Sequence, residues 1–253
     1  MVIFNERKWI EDIIKNRDWM KMGHPRKMIK FLIKYYYPDF KDKKPREFQR
    51  FILDEMNAFN YPIERYEEYE YAGYALSTCK KALKGELNTY LRTDDCIGIT
   101  QGELDIISKA KNNQQKKLLF TLYVLAKLYP YHSGWINYKD SEIFKLANVH
   151  LSVQDRDYLI NDLYQQGLLQ LNHIIGKNGL KVDLVENTPV VMQITLEKAF
   201  GNQYLAYIKG DEWSVCSDCG RLFKRSSQQG RPPIYCPKCA YKVKLEQNKS
   251  YKS

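Results

Sequence analysis

Four cysteines near the C-terminal end constrain this chain more than any other feature. They form two Cys-x2-Cys pairs, Cys216 with Cys219 and Cys236 with Cys239, and sixteen residues separate the pairs. Two tight turns of this kind each present two thiolates to a single ion, and a separation of about 15–20 residues is typical of a four-cysteine zinc site. The pattern therefore predicts one structural Zn²⁺ held by these four thiols.

The residues around the two pairs agree with a metal site. Gly220 follows the first pair, where a metal-binding turn often needs positive φ, while Tyr235 and Pro237 flank the first cysteine of the second pair and stiffen it. Two disulfides or four unligated thiols are the alternative, but nothing in the sequence indicates an oxidising compartment. Cys79 and Cys96 stand alone, and we interpret each as a small buried hydrophobic residue.

Length and composition predict a globular chain. It has 253 residues, of which 44% are hydrophobic, so it can bury a sizeable core without disulfides. The N-terminus lacks the apolar segment of a signal peptide, and no stretch approaches the ~18 to 20 apolar residues that cross a bilayer. We expect a cytoplasmic protein with no membrane partner.

The net charge of +10 is concentrated at the two ends of the chain. Basic residues exceed acidic ones by seven in residues 1–50 and by six in residues 201–253, whereas residues 51–100 carry an acidic excess of four. This distribution favours a polyanionic partner, because each phosphate neutralised by Lys or Arg releases counterions. Two alternatives stay open: part of the C-terminal charge balances the thiolates of the metal site, or the lysines are ordinary solvated surface.

The first hundred residues have helical periodicity and predict a small helical bundle with an aromatic-rich core. We predict one helix capped by Asn5 and a second beginning at Pro25. A third begins just after Pro45, a fourth covers Tyr66 to Leu83, and the charged stretch Asp39 to Lys44 connects the second to the third.

The next hundred residues alternate helices with short strands. A capping box, Thr100-x2-Glu103, predicts a helix start. We then expect a helix from Lys116, an extended piece at 134–137, a helix from Asp140, and a helix from Ser152 with Asp155 at the capping position. Two strands, 168–174 and 180–185, flank the turn 176–179; a further strand covers 190–194, and a helix covers 196–209.

These patterns resemble two known kinds of module. Residues 116–194 resemble a winged helix-turn-helix domain with a β-hairpin wing, and residues 213–245 are similar to the four-cysteine zinc-ribbon or zinc-knuckle modules of bacterial and phage proteins. The richness in Lys, Ile, Asn and Tyr is similar to proteins of low-GC Gram-positive bacteria and their phages or plasmids. We predict a mainly α (α+β) chain with a helical domain (1–98), a winged-helix domain (99–195), a linker helix (196–212) and a zinc ribbon with a basic tail (213–253).

The third helix of the winged-helix segment is acidic. In such domains this helix enters the major groove, yet here Asp155, Asp157 and Asp162 outnumber Arg156. We therefore favour a structural or protein-docking helix over groove insertion, and we assign the phosphate contacts to other basic residues. The candidate nucleic-acid-binding residues lie in the cysteine module, at the wing tip and on the second helix: Arg221, Lys224, Arg225, Arg231, Lys238 and Lys242; Lys177 and Asn178; Lys27, Lys30 and Lys34.

The sequence lacks the residue sets of catalysis. Its four histidines are scattered, it contains no P-loop, GxSxG or HExxH motif, and four thiols leave a zinc ion no open position for an activated water. Two hypotheses remain. The first is a non-catalytic nucleic-acid-binding regulator or replication accessory protein of a phage or mobile element, acting in the bacterial cytoplasm on DNA rather than RNA, with a homodimer as one arrangement. The second is an adaptor or inhibitor that binds a host protein.

Overall fold

The structure is a computed structural model that describes residues 3–21, 23–59, 65–128, 133–172, 179–195, 198–225 and 234–250. The chain divides into two compact units, Ile3–Asp95 and the residues from Cys96 onward. The first unit is helical, and the second combines helices with small antiparallel sheets. The chain is thus mainly α with some β, as predicted. The domain boundaries at residues 98, 195 and 212 stay predictions.

The helices predicted in the first unit are confirmed. They are α1 (Glu6–Asn16), α2 (Pro25–Phe40), α3 (Pro45–Ala58) and α4 (Arg65–Leu83), with a 3₁₀ turn at Trp19–Lys21. The predicted cap of α1 is also confirmed, because the Asn5 side chain accepts a hydrogen bond from the Lys8 amide at 2.9 Å. Along the apolar stripes of α1, α2 and α3 the side chains are buried; they include Ile10, Ile13, Met28, Leu32, Phe48 and Ile52.

The α2 helix runs further than the sequence indicates. It continues through Pro38 to Phe40, so the connection to α3 shortens from the predicted 39–44 to 41–44. Pro38 costs the helix one backbone hydrogen bond. Packing offsets that cost, because the Phe40 ring stacks on Phe48 of α3 with centroids 4.7 Å apart.

A largely buried ion cluster ties the end of the first unit to its beginning. Glu6 accepts from the backbone amide of Arg92 at 3.2 Å, and its carboxylate lies 3.5 Å from the Arg92 guanidinium and 3.6 Å from the Lys34 ammonium. The guanidinium also donates to the carbonyl of Ile3. Two cations around one carboxylate thus hold the segment at Arg92 against α1 and α2.

The elements of the second unit follow the predicted order, and the structure adds strands that the sequence analysis did not predict. In chain order the elements of this unit are β1 (Ile97–Thr100), α5 (Gln101–Ser108), α6 (Asn113–Leu128), β2 (Trp135–Ile136), α7 (Asp140–Ala147), α8 (Val153–Gln165), β3 (Gln170–Leu171), β4 (Leu180–Lys181), β5 (Val190–Ile194), α9 (Phe200–Lys209), β6 (Trp213–Val215), β7 (Leu222–Lys224) and α10 (Pro237–Ser250). The capping box of α5 and the Ser152 cap of α8 are confirmed.

A three-stranded antiparallel sheet, in the order β2-β4-β3, packs beside α6. Trp135 pairs with Lys181 on one side of β4, and Gln170 pairs with the same residue on the other. The strands are shorter than the predicted 168–174 and 180–185. The predicted wing tip, with Lys177 and Asn178, lies outside the described residues.

Two long-range packings shape the rest of this unit. The predicted strand β5 is confirmed, and it pairs with β1, a strand that the sequence analysis did not predict. The α9 helix begins at Phe200, later than the predicted Leu196, and packs on α6 and α7. Gly201 permits that approach, because a Cβ there would lie 2.2 Å from the carbonyl oxygen of Ala147. Among the described residues, no helix has both the length and the apolarity to span a membrane.

One buried ion pair joins β1, α5 and α6. Glu103 is fully buried; its carboxylate accepts from the Thr100 amide at 2.9 Å and lies 2.8 Å from the Lys127 ammonium, which also donates to the Gly98 carbonyl at 2.7 Å. Neutralising one member of such a pair leaves the other charge buried and uncompensated.

We therefore expect Glu103→Gln to lower the free energy of unfolding of this unit by about 3 kcal/mol, although glutamine still suits the capping box. The matched control is Glu212→Gln, which removes the same charge from an exposed pair with Lys224 and should cost less than about 1 kcal/mol. Urea titrations of both variants measure the difference. Equal losses would contradict a stabilising role for the buried pair.

Candidate metal centre

The first cysteine pair lies at the turn of the β6–β7 hairpin. Val215 pairs with Leu222 at the end of the hairpin, and beyond it the Cys216 amide donates to the Arg221 carbonyl at 2.9 Å. The Gly220 amide donates to the Cys216 carbonyl, also at 2.9 Å. Gly220 has a φ of +67°, which a residue with a side chain rarely adopts. The predicted requirement for glycine after the first pair is confirmed.

The second pair lies at the start of α10. Cys236 precedes the helix and Cys239 lies in its first turn, where the Ala240 amide donates to the Cys236 carbonyl at 2.9 Å. Pro237 occupies the first helical position, where a missing N–H costs nothing. A further backbone hydrogen bond, from Ser217 to Ile234 at 2.9 Å, holds the two cysteine turns side by side.

The four sulfur atoms converge. All lie within 4.8 Å of one another, and the sulfurs of Cys219 and Cys236 are 3.8 Å apart. A tetrahedral ion with Zn–S bonds of about 2.3 Å places its sulfurs about 3.8 Å apart. Cys219 is exposed and the other three are buried, and all six cysteines of the chain are free thiols rather than disulfides. These four residues form a compact soft-donor set that could hold a metal ion.

The electrostatics of the cluster also favour a cation. Burial opposes ionisation of the Cys216 thiol, but hydrogen bonds from backbone N–H groups of both cysteine turns outweigh it and lower the pKa to about 6. At Cys239 a hydrogen bond with the Asp218 side chain, followed by burial, raises the pKa. Without a cation the Cys239 thiol therefore resists ionisation, whereas a divalent ion would stabilise the thiolates and displace its proton.

The cysteine module is docked onto α9 by polar contacts. The Asn202 side-chain amide donates to the Gly220 carbonyl at 2.8 Å, and its side-chain oxygen accepts from the side-chain amide of Asn148 at 3.1 Å. Lys198 donates to the Asp218 carbonyl. A Cβ at Gly220 would come within 2.6 Å of the Ala199 Cβ, so glycine also allows the close approach. Asn202 thus joins the end of α7 to the metal-binding turn.

Sequence reasoning missed this docking. The predicted linker helix had no assigned partner, and no motif connects an asparagine in one helix to a carbonyl eighteen positions later. The one available signal is Gly220, which the sequence explains only through its backbone angle. Its second role, clearance for Ala199, depends on a tertiary contact.

The structure locates most of the predicted basic residues of the module. Arg221, Lys224, Lys238 and Lys242 are exposed, and Lys224 pairs with Glu212 at 3.1 Å. Arg225 is half-buried, and its Nε has no hydrogen-bond partner among the described residues. Arg231 lies outside the described residues.

The basic residues of α2 are less available than the sequence suggests. Lys30 is exposed, but Lys27 is half-buried with its ammonium 5.0 Å from the centroid of the Trp9 ring, and burial lowers its pKa. Lys34 is half-buried and paired with Glu6. Lys27 and Lys34 are less available to a partner than Lys30, because their side chains pack on the aromatic residues Trp9 and Phe31. Nucleic-acid binding by these three residues stays a prediction.

Comparison with known proteins finds no matching family model, no matching curated protein and no matching solved structure. Function is therefore inferred from the residues themselves.

Replacing one ligand should release the metal. We expect Cys239→Ser to lose stoichiometric metal, measured by mass spectrometry of the elements in desalted protein, because hydroxyl is a poor ligand for a soft ion. Cys96→Ser, at a half-buried thiol outside the cluster, should keep it. Retention of metal by Cys239→Ser would exclude the four-sulfur site.

The docking contact should also affect metal affinity. Asn202→Ala leaves the Gly220 carbonyl buried without a donor, and because metal binding and folding of the turn are coupled, we expect roughly tenfold weaker metal binding in competition with a chromophoric chelator. Asn161→Ala, at an exposed position of α8, is the control and should bind metal like the wild type. If the two variants behave alike, the cysteine module folds without help from α9.

Proposed function

We propose that this protein is a non-catalytic nucleic-acid-binding protein in which a zinc-organised C-terminal module contacts the phosphate backbone. The observation that carries the proposal is the convergence of four sulfurs next to exposed basic side chains on the same hairpin and helix, Arg221, Lys224, Lys238 and Lys242. A metal-rigidified scaffold holds such cations in place, and cations that neutralise phosphates supply most of the affinity of non-specific binding.

The proposed identity of the metal rests on the donor set. Cys216, Cys219, Cys236 and Cys239 would hold one Zn²⁺ with no position left open, which makes the ion structural. When bound, it supplies two positive charges that keep the thiolates together. The chain's own residues then present the cations that face the nucleic acid.

A winged-helix domain is the second part of the proposal. The order α6, β2, α7, α8, β3, β4, with a sheet in the order β2-β4-β3, supports it. Such domains occur in many DNA-binding proteins, which favours DNA over RNA. The order alone does not identify a function, because one fold serves many.

The α8 helix is a poor candidate for insertion into a groove. Its single basic residue, Arg156, lies over the Phe144 ring at 5.4 Å, and its exposed face carries Asp155 and Asp157. Carboxylates there repel phosphates, so the proposal assigns the backbone contacts to the cysteine module. The composition, which is similar to proteins of low-GC Gram-positive bacteria and their phages or plasmids, supports a regulator or replication accessory protein of a phage or mobile element in the bacterial cytoplasm.

The same helix favours a second candidate function, an adaptor or inhibitor that binds a host protein. Val153 and Tyr158 are 73% and 64% exposed beside the carboxylates of Asp155 and Asp157. An exposed aromatic residue on a helix is common where another protein docks. In this candidate, α8 rather than the cysteine module makes the main contact.

Salt dependence and co-purification distinguish the two. If six or more phosphates are contacted, the affinity for DNA should fall about 10³-fold or more between 50 and 200 mM salt, because binding releases counterions. Charge reversal at Arg225 and Arg231 should weaken binding to all sequences alike. The measurement is fluorescence anisotropy with labelled DNA.

The companion measurement is a pull-down from bacterial lysate with and without nuclease. Nucleic-acid binding predicts material that disappears after nuclease treatment. A protein that co-purifies in stoichiometric amount regardless of nuclease, together with no DNA binding at 50 mM salt, would contradict the proposal and support the adaptor.

A further inference from the structure

A surface pocket of about 600 Å³ lies between β5, α9 and the start of the β6–β7 hairpin. Its volume is within the range of small-ligand sites, roughly 300–1,000 Å³. Along α9, Gln203, Ala206 and Tyr207 line it from one helix face, since positions three and four apart are neighbours on a helix. The cysteine module contributes Trp213 and Arg225. The cysteine module and α9 thus form the pocket together.

The aromatic side chains of the pocket are available for stacking. Tyr207 is 44% exposed, although the helix that carries it, α9, packs on α6 and α7. The Trp213 ring is partly exposed and lies 4.3 Å, centroid to ammonium, from Lys209. A cation at that distance covers one face of the indole and restrains the ring, so a base would stack on the opposite face.

The lining of the pocket includes two residues of opposite charge, Arg225 and Asp211. The Arg225 Nε is buried and has no hydrogen-bond partner among the described residues, although the backbone of Arg225 is held by Glu212 at 2.7 Å. An acceptor on a ligand in the pocket would satisfy this buried donor. Asp211, which is exposed, is the opposing group: a carboxylate repels phosphate and is able to accept a hydrogen bond from the amino group of a base.

We propose that this pocket binds one unpaired nucleotide of a nucleic-acid strand, with the base against Trp213 and Tyr207 and the adjacent phosphate at Arg225. This inference rests on the proposed nucleic-acid-binding function and deepens it. An aromatic surface beside a guanidinium is the arrangement with which proteins hold single strands. Arg221 and Lys224, exposed on the same hairpin, extend the positive charge along the strand. A base in a duplex is stacked and paired, so the pocket selects single-stranded nucleic acid.

The test compares one labelled twelve-nucleotide DNA as a single strand and as a duplex, at constant salt, by fluorescence anisotropy. We expect the wild type to bind the single strand at least tenfold more tightly. Trp213→Leu should weaken single-strand binding about 5- to 100-fold, while Trp213→Phe, which keeps an aromatic ring, should retain most of it. Neither change should alter duplex binding. Metal content confirms that each variant is folded.

A second pair of variants keeps the test decisive if changes at Trp213 disturb the hairpin. Arg225→Gln and Lys224→Gln remove the same charge from adjacent positions, and only Arg225 lines the pocket. The pocket predicts a larger loss of single-strand affinity for Arg225→Gln than for Lys224→Gln. Equal losses, with single strand and duplex bound alike by the wild type, would overturn the inference and leave the proposed function intact. No binding to either DNA at 50 mM salt would overturn both, and capture of an extended peptide instead of DNA would reassign the pocket.

Discussion

The close approach of four cysteine sulfurs is the constraint on which the C-terminal module of this protein depends. Four sulfurs lie within 4.8 Å of one another, three of them buried. Four negative charges cannot share so small a volume unless a cation lies among them. In our account a divalent ion supplies that charge. It fixes the β6–β7 hairpin to the start of α10, and thereby fixes the positions of the basic side chains that both elements carry.

In our account the cysteine turn presents its basic side chains in fixed positions, which requires that it be held against the rest of the unit. Here Asn202 performs that task with one side chain, since its amide donates to Gly220 and its oxygen accepts from Asn148. Asn202 of α9 thus links the cysteine turn to the end of α7. The pocket beside Trp213 lies between the hairpin and α9, so the docked cysteine module forms one of its walls.

The parts of this structure that depend on local chemistry were predictable from sequence. The Thr100–Glu103 capping box and the caps at Asn5 and Ser152 act within a few residues, as does each Cys-x2-Cys pair, and each is found as predicted. The parts that depend on distant partners were not. The pairing of β1 with β5 joins residues about ninety positions apart, and a four-residue strand containing Gly98 carries little local signal.

Charge was the least predictable property. A count of lysines on α2 suggested a phosphate-binding face, but Lys34 is bound to Glu6 and Lys27 covers Trp9. Long basic side chains often bury their stems along apolar surface, so net charge overstates the cations available to a partner. By the same reasoning Arg225 is a stronger candidate for a contact with a partner, because its Nε has no hydrogen-bond partner among the described residues. The exposure and the existing contacts of each basic side chain, rather than the number of basic residues, therefore decide which of them can contact a partner.

The most direct test of the central claim is the metal content of the wild-type protein, purified under reducing conditions and measured by inductively coupled plasma mass spectrometry. The account predicts one zinc ion per chain, with four thiols that become reactive only after the ion is removed. Protein that contains no stoichiometric metal, yet keeps its secondary structure and four unreactive thiols, would contradict it.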